Sequence, residues 1–245
     1  METERPSNSK RHRSRDLAAV AFCIVLPTIV TLAYFIWFAD KADSLKLAFG
    51  IGKVVQFGFP VVFVWMYARD RIGLPPKSKD GIGFGLVFGL IIAAATGLLY
   101  AWWLKPAGEI DAAAEQIKTK VAGFGVDNAL AYLGMGVFYA VAHSFLEEYY
   151  WRWFVFGQLR PWVSKNLAIV ISSLGFMAHH VIVLGTFFGW DNWLAYFLSF
   201  CVAVGGAVWA GLYDRSQSLL GPWLSHALVD AGIFAVGYDI VKVGF

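Results

Sequence analysis

Eight ionisable side chains sit within or beside apolar runs in the second half of this sequence: His143, Glu147, Glu148, Arg152, His179, His180, His226 and Asp230. An ionised group deep in a bilayer costs about 2.5–3.5 kcal/mol on insertion scales, so each needs a partner or a purpose. A carboxylate can take a proton from water, and an imidazole can hold that water or donate to a developing negative charge. Acids and imidazoles presented by separate helices toward one interior would suit acid–base chemistry.

Spacing sorts the densest stretch, "HSFLEEYYWRWF" at 143–154. On an α-helix, at about 100° per residue, Glu148 and Arg152 are one turn and about 40° apart, so they can pair. Glu147 and Arg152 differ by about 140°, which leaves Glu147 facing elsewhere without a local cation. A carboxylate so placed in a partly dry cavity suits a general base. The plainer alternative is that both glutamates anchor a helix end at the headgroups. "GFMAHH" sets Phe176 and His180 one turn apart, and "PWLSHALVD" does the same for His226 and Asp230. His143 lies one turn before Glu147 and either tunes that carboxylate or packs. His179, about 100° from His180, points to a neighbouring helix or packs likewise.

The elements that must position these groups follow from composition and hydropathy. The chain has 245 residues, 58% of them hydrophobic and only 15% charged, against roughly 25% charged in an ordinary soluble domain. Runs of bilayer length recur at 17–39, 47–68, 81–104, 128–146, 166–188, 192–213 and 218–236. The expected fold class is all-α, a polytopic transmembrane helix bundle of seven or eight spans with a polar intramembrane cavity. The fourth run continues as helix through 143–154, and an eighth span would need a break around 149–162. The first run is too long for a signal core and reads as a retained helix, kinked at Pro27. Residues 1–16 read as a polar cytoplasmic tail, 17–124 as N-terminal helices with an outer connecting segment, and 125–245 as the bundle that carries the candidate site.

Gly81, Gly85, Gly89, Ala93 and Gly97 form a small-residue ridge suited to close helix packing. Segment 105–127 has apolar residues near helical spacing, for a helix on the membrane surface, over the bundle, or solvated. With the N-terminus inside, the inner side collects every arginine together with Lys10, Lys77, Lys79 and Lys165, as the positive-inside rule favours. Lys53 is a lone charge in the second run, to snorkel or to meet Asp40 or Asp43. Cys23 and Cys201 lie in apolar runs and read as small hydrophobes rather than a disulfide or a metal pair. The basic residues form no stripe, which argues against nucleic acid as a partner.

Three motifs then stand in order on successive apolar segments: EExxxR as "EEYYWR", FxxxH as "FMAHH" and HxxxD as "HALVD". The ordered set resembles the CPBP family, the CAAX-protease and bacteriocin-processing (Abi) intramembrane proteins, to which the eukaryotic prenyl-protein endopeptidase broadly belongs. The resemblance covers roughly 125–240. It implies a glutamate-dependent peptide hydrolase in a membrane cavity, acting on a membrane-embedded or lipidated peptide or protein, with no cofactor and no metal. By resemblance Glu147 activates water, His180 helps position it, Glu148 and Arg152 shape the site, and His226 with residue 230 stabilises the oxyanion. Phe176 would wall the substrate cavity, which His143 and His179 would also line. A multi-pass protein of a prokaryotic inner membrane, N-terminus in the cytoplasm, is the implied setting.

The departure is Asp230, where many relatives carry Asn. An ionised Asp cannot donate to an oxyanion. Either Asp230 is protonated, or it orients a cationic His226 that alone donates; the second is more economical. The competing readings are a peptide-holding immunity or scaffold protein, a proton-coupled transporter, and a zinc enzyme built on Glu147, His180 and His226. No HExxH occurs, and no inverted repeat is evident.

Overall fold

In a bilayer every backbone N–H and C=O must find its partner within the chain, and a helix does this for each apolar run by itself. The computed structural model describes residues 6–37, 42–68, 73 and 78–244, with the backbone alone at 6–11, 42–48, 112 and 243. Among the described residues there are seven helices long and apolar enough to cross a membrane and no strand. The protein is an all-α, multi-pass integral membrane helix bundle.

In chain order, α1 is Pro6–Leu32 and runs on as a π-helical turn, Ala33–Trp37. Helix α2 is Ala42–Phe63, extended by a π turn at Val64–Ala68, and α3 is Ile82–Leu99, extended at Tyr100–Leu104. The short α4 is Asp111–Gly123. Then follow α5, Ala129–Leu159, α6, Lys165–Phe188, α7, Trp193–Ser216, and α8, Leu220–Val241. All but α4 are spans. Asn128 caps α5 by accepting from the Ala131 N–H at 2.9 Å, and Asn192 caps α7 by accepting from Leu194 at 2.9 Å. Both satisfy N–H groups that a helix start leaves over.

Several expectations are refined. Helix α1 is already formed at Pro6, the first described residue, so the basic stretch up to Asp16 is helical. Helix α5 is continuous for 31 residues, so 143–154 lies within one long span and no eighth span arises from it. The Lys53 ammonium lies 5.5 Å from the ring centres of Phe49 and Phe57, a cation–π arrangement. Arg5, Ala39, Asp40, Arg69, Arg71 and Lys77 lie outside the described residues.

The chain divides into two compact units. The first comprises Met1–Pro75, Tyr149–Val183 and Ser199–Gly211. Its interior is aromatic: the Phe154 ring meets Phe59 at 6.2 Å and Phe63 at 5.7 Å. Pro27 lies inside α1 and has no N–H, so the Cys23 carbonyl four residues earlier loses its helical donor. The buried Tyr150 hydroxyl donates to that carbonyl at 2.7 Å.

The second unit comprises Pro76–Glu148, Leu184–Leu198 and Leu212–Phe245. Here the small-residue ridge of α3 seats α8 backbone to backbone. A Cβ on Gly85 would run into the Gly221 carbonyl, and one on Gly89 would lie 2.9 Å from the Ser225 Cα. Further along, a Cβ on Gly232 would stand 2.8 Å from that of Ala93, whereas Gly97 has nothing within 4 Å. Helix α4 covers this unit's core: Ile110 and Val121 are buried with Tyr100, Leu104, Tyr132 and Ile240. At that end Asp239 accepts from the Tyr100 hydroxyl at 2.7 Å and from Lys105 at 2.6 Å, tying the end of α3 to α8.

Candidate active site

Helix α5 is not a uniform α-helix. It is π-helical at Phe138–His143, α-helical at Ser144–Glu148, and π-helical again at Tyr149–Phe156. Wider turns displace carbonyls from the i→i+4 ladder, a feature frequent at functional sites. Side chains take up the displaced acceptors: Ser144 Oγ donates to the Ala140 carbonyl at 2.5 Å, and Trp223 Nε1 donates to that of Val141 at 2.9 Å. Both glutamates therefore ride on a single α-helical turn between two wider ones. The angles assigned from a uniform helix do not carry past Tyr149.

In the second unit α5 and α8 face each other in antiparallel register. Glu147 stands beside His226, and eight residues away on each helix the Tyr139 and Phe234 rings stack at 5.3 Å. His226 is the hub. Its Nδ1 is 2.9 Å from Glu148 Oε1, a hydrogen bond, while its Nε2 is 3.7 Å from Glu147 Oε2 and 3.6 Å from Asp230 Oδ1. The latter two are ion-pair distances, longer than direct hydrogen bonds. His143 Nδ1 comes to 3.9 Å from the same Glu147 Oε2. Glu147, Glu148 and His226 are buried. Thus Glu147, Glu148, His226, Asp230 and His143, all predicted, are brought together, on the two helix-spaced pairs His143–Glu147 and His226–Asp230.

The first unit gathers the others. Arg152 is buried, its guanidinium 4.8 Å from the Phe176 ring centre and 5.2 Å from that of Trp209. Its Nη2 reaches the Gly206 carbonyl at 3.5 Å, and a Cβ on Gly206 would press on Phe176 and on that nitrogen at 3.2 and 3.4 Å. His179 lies parallel to the Trp151 ring at 6.0 Å. His180 packs on Phe176 at 4.8 Å, with its Nδ1 2.9 Å from the Phe176 carbonyl oxygen. A carbonyl only accepts, so Nδ1 carries the proton, and the neutral ring then has its lone pair at Nε2.

Sequence reasoning missed the Glu148–His226 bond, because i, i+4 spacing shows only partners on the same helix. It also missed Trp209 and Gly206 around Arg152, for which the sequence holds no signal. Tyr139 could have been found: it lies one further turn back from His143 and Glu147, and its ring is 5.0 Å from that of His143. Among the described residues no group of three His, Cys, Asp or Glu side chains is arranged to hold a metal ion.

Residues 129–232 match a protein-family model described as Rce1-like, type II CAAX prenyl endopeptidase. The match contains all three motifs, the whole of α5 and the part of α8 that carries His226 and Asp230. Neither a curated protein nor a solved structure matches this chain.

Proposed function

Because its segment 129–232 belongs to the CAAX-protease (CPBP) family, we propose that this chain is an intramembrane endopeptidase in which Glu147 activates the attacking water. The observation that carries the proposal is the Glu147 carboxylate, buried and flanked at one oxygen by two imidazoles, at 3.7 and 3.9 Å. Glu147 takes a proton from water as the water oxygen bonds to the scissile carbonyl carbon, whose π electrons move to the carbonyl oxygen. The C–N bond then breaks as Glu147 returns the proton to the departing amine nitrogen. One water is consumed, and an acid and an amine are released.

His226 serves the oxyanion. Glu148 holds its Nδ1 at 2.9 Å, fixing the ring so that, as an imidazolium, it donates outward from Nε2. Asp230, 3.6 Å from that nitrogen, fits the role of orienting a cationic His226 rather than donating itself. The proton on His180 Nδ1, placed by the Phe176 carbonyl, leaves Nε2 in the form that accepts a hydrogen bond from water, which supports a water-positioning role.

The substrate is a membrane-embedded or lipidated peptide or protein. The protein lies in a prokaryotic inner membrane with its N-terminus on the cytoplasmic side. Glu147→Gln is the decisive variant. A strain carrying it should accumulate an uncut precursor in its membrane proteome while the variant protein still folds; unaltered processing would overturn the reading.

A further inference from the structure

We infer that His143 is a positioning residue for Glu147, fixing one oxygen of that carboxylate so that the other is aimed at the water. The inference rests on the proposed role of Glu147 and adds a residue outside the three motifs. Three observations carry it.

The first is convergence. His143 Nδ1 and His226 Nε2 address the same atom, Glu147 Oε2, at 3.9 and 3.7 Å. A carboxylate has two oxygens, and holding one of them sets the direction of the other. His226 is a divided partner: its Nδ1 is bonded to Glu148, and its Nε2 is shared between Glu147 and Asp230. His143 supplies a second hold from Glu147's own helix.

The second is support. His143 closes the π-helical segment of α5, and its ring stands 5.0 Å from that of Tyr139, which stacks on Phe234 of α8 at 5.3 Å. The imidazole is thus buttressed through two rings onto the opposite helix. A flexible or lipid-facing histidine would have no such backing.

The third is placement within the cluster. The side chain of His143 is 19% exposed and that of Asp230 18%, against 5% for Glu147, 6% for His226 and 0% for Glu148. His143 stands at the open edge of a buried set, beside the ionisable Tyr139 and Glu147, with His226 and Asp230 further along the same set. A histidine present only to fill space would be expected inside the set, away from the carboxylate.

The test uses the full-length protein in membranes and the precursor that accumulates in the Glu147→Gln strain. His143→Phe keeps the ring and its stacking on Tyr139 but removes both nitrogens. His143→Asn keeps an amide nitrogen near the Nδ1 position. His143→Phe should lower kcat about 10–100-fold with KM nearly unchanged, the range typical of a residue that orients a reacting group, and His143→Asn should retain most of the rate. Wild-type kcat in His143→Phe would overturn the inference in favour of packing, as would equal losses in the two variants. Should His143→Phe not fold, His143→Ala assayed with added imidazole replaces it; recovery of rate is expected, and no recovery overturns the inference. A dead Glu147→Gln beside a fully active His143→Phe sinks this inference alone. A Glu147→Gln strain that accumulates no precursor sinks it together with the proposed function.

Discussion

Two regions of this molecule hold intramembrane charge, and the surroundings of that charge differ. In the second unit carboxylates and imidazoles face one another at 2.9–3.9 Å, with the outer two members partly exposed. In the first unit Arg152 is enclosed by the Phe176 and Trp209 rings and a backbone carbonyl, and is buried. A buried arginine stacked on aromatic faces gains on the order of 2 kcal/mol per desolvated ring and is held rigidly. Acids and imidazoles at ion-pair spacing can instead exchange protons without moving far. The sequence motif "EEYYWR" belongs to both regions, its glutamates to one and its arginine to the other.

The comparison can be broken first at its frame. Gly89→Leu would drive a side chain into the Ser225 backbone, which a Cβ alone already meets at 2.7–2.9 Å. With no room to relax, α8 must shift and carry His226 away from Glu147. The expected result is loss of detectable cleavage and a sharply lowered unfolding temperature in detergent; a stable, active variant would show that the α3–α8 seating does not set the register.

His226→Ala comes next. It removes the hub ring while leaving the frame intact, and cleavage should fall about 10²–10³-fold, as for loss of an oxyanion donor. A loss under tenfold in single-turnover assays would shift the donor role to another group.

The smallest effect is expected in the other region. Arg152→Lys keeps the charge but loses the planar group that stacks on two rings, and such exchanges are not conservative at stacked sites. Thermal unfolding should drop by several degrees, about 1–2 kcal/mol, with kcat changed less than tenfold. A kcat loss as large as that of His226→Ala would show that Arg152 contributes to the chemistry as much as His226 does.

The spans were legible because hydropathy and length speak directly to the bilayer: each run needs only its own residues to satisfy its backbone. The small-residue ridge was legible for a similar reason, since Gly85 and Gly89 have no side chain to keep a neighbouring backbone away. Of the site, the pairs His143–Glu147 and His226–Asp230 could be read from i, i+4 spacing. The bond from Glu148 to His226 could not, because the spacing rule sees only one helix and His226 lies 78 residues away. The π turns of α5 were equally hidden. No residue type marks them, although Ser144 and Trp223 donate to the Ala140 and Val141 carbonyls of the first.

By itself the sequence determined that this is a multi-pass helical membrane protein, that its second half carries acids and imidazoles in three ordered motifs, and which of them share a helix face. Those properties are local, set by hydropathy and by the period of the helix. Only the tertiary structure decided that Glu148 serves His226, that two imidazoles converge on one oxygen of Glu147, and that Arg152 is enclosed by rings. Each of these depends on how helices distant in sequence are seated against one another, through close glycine contacts and wide turns that no local pattern specifies.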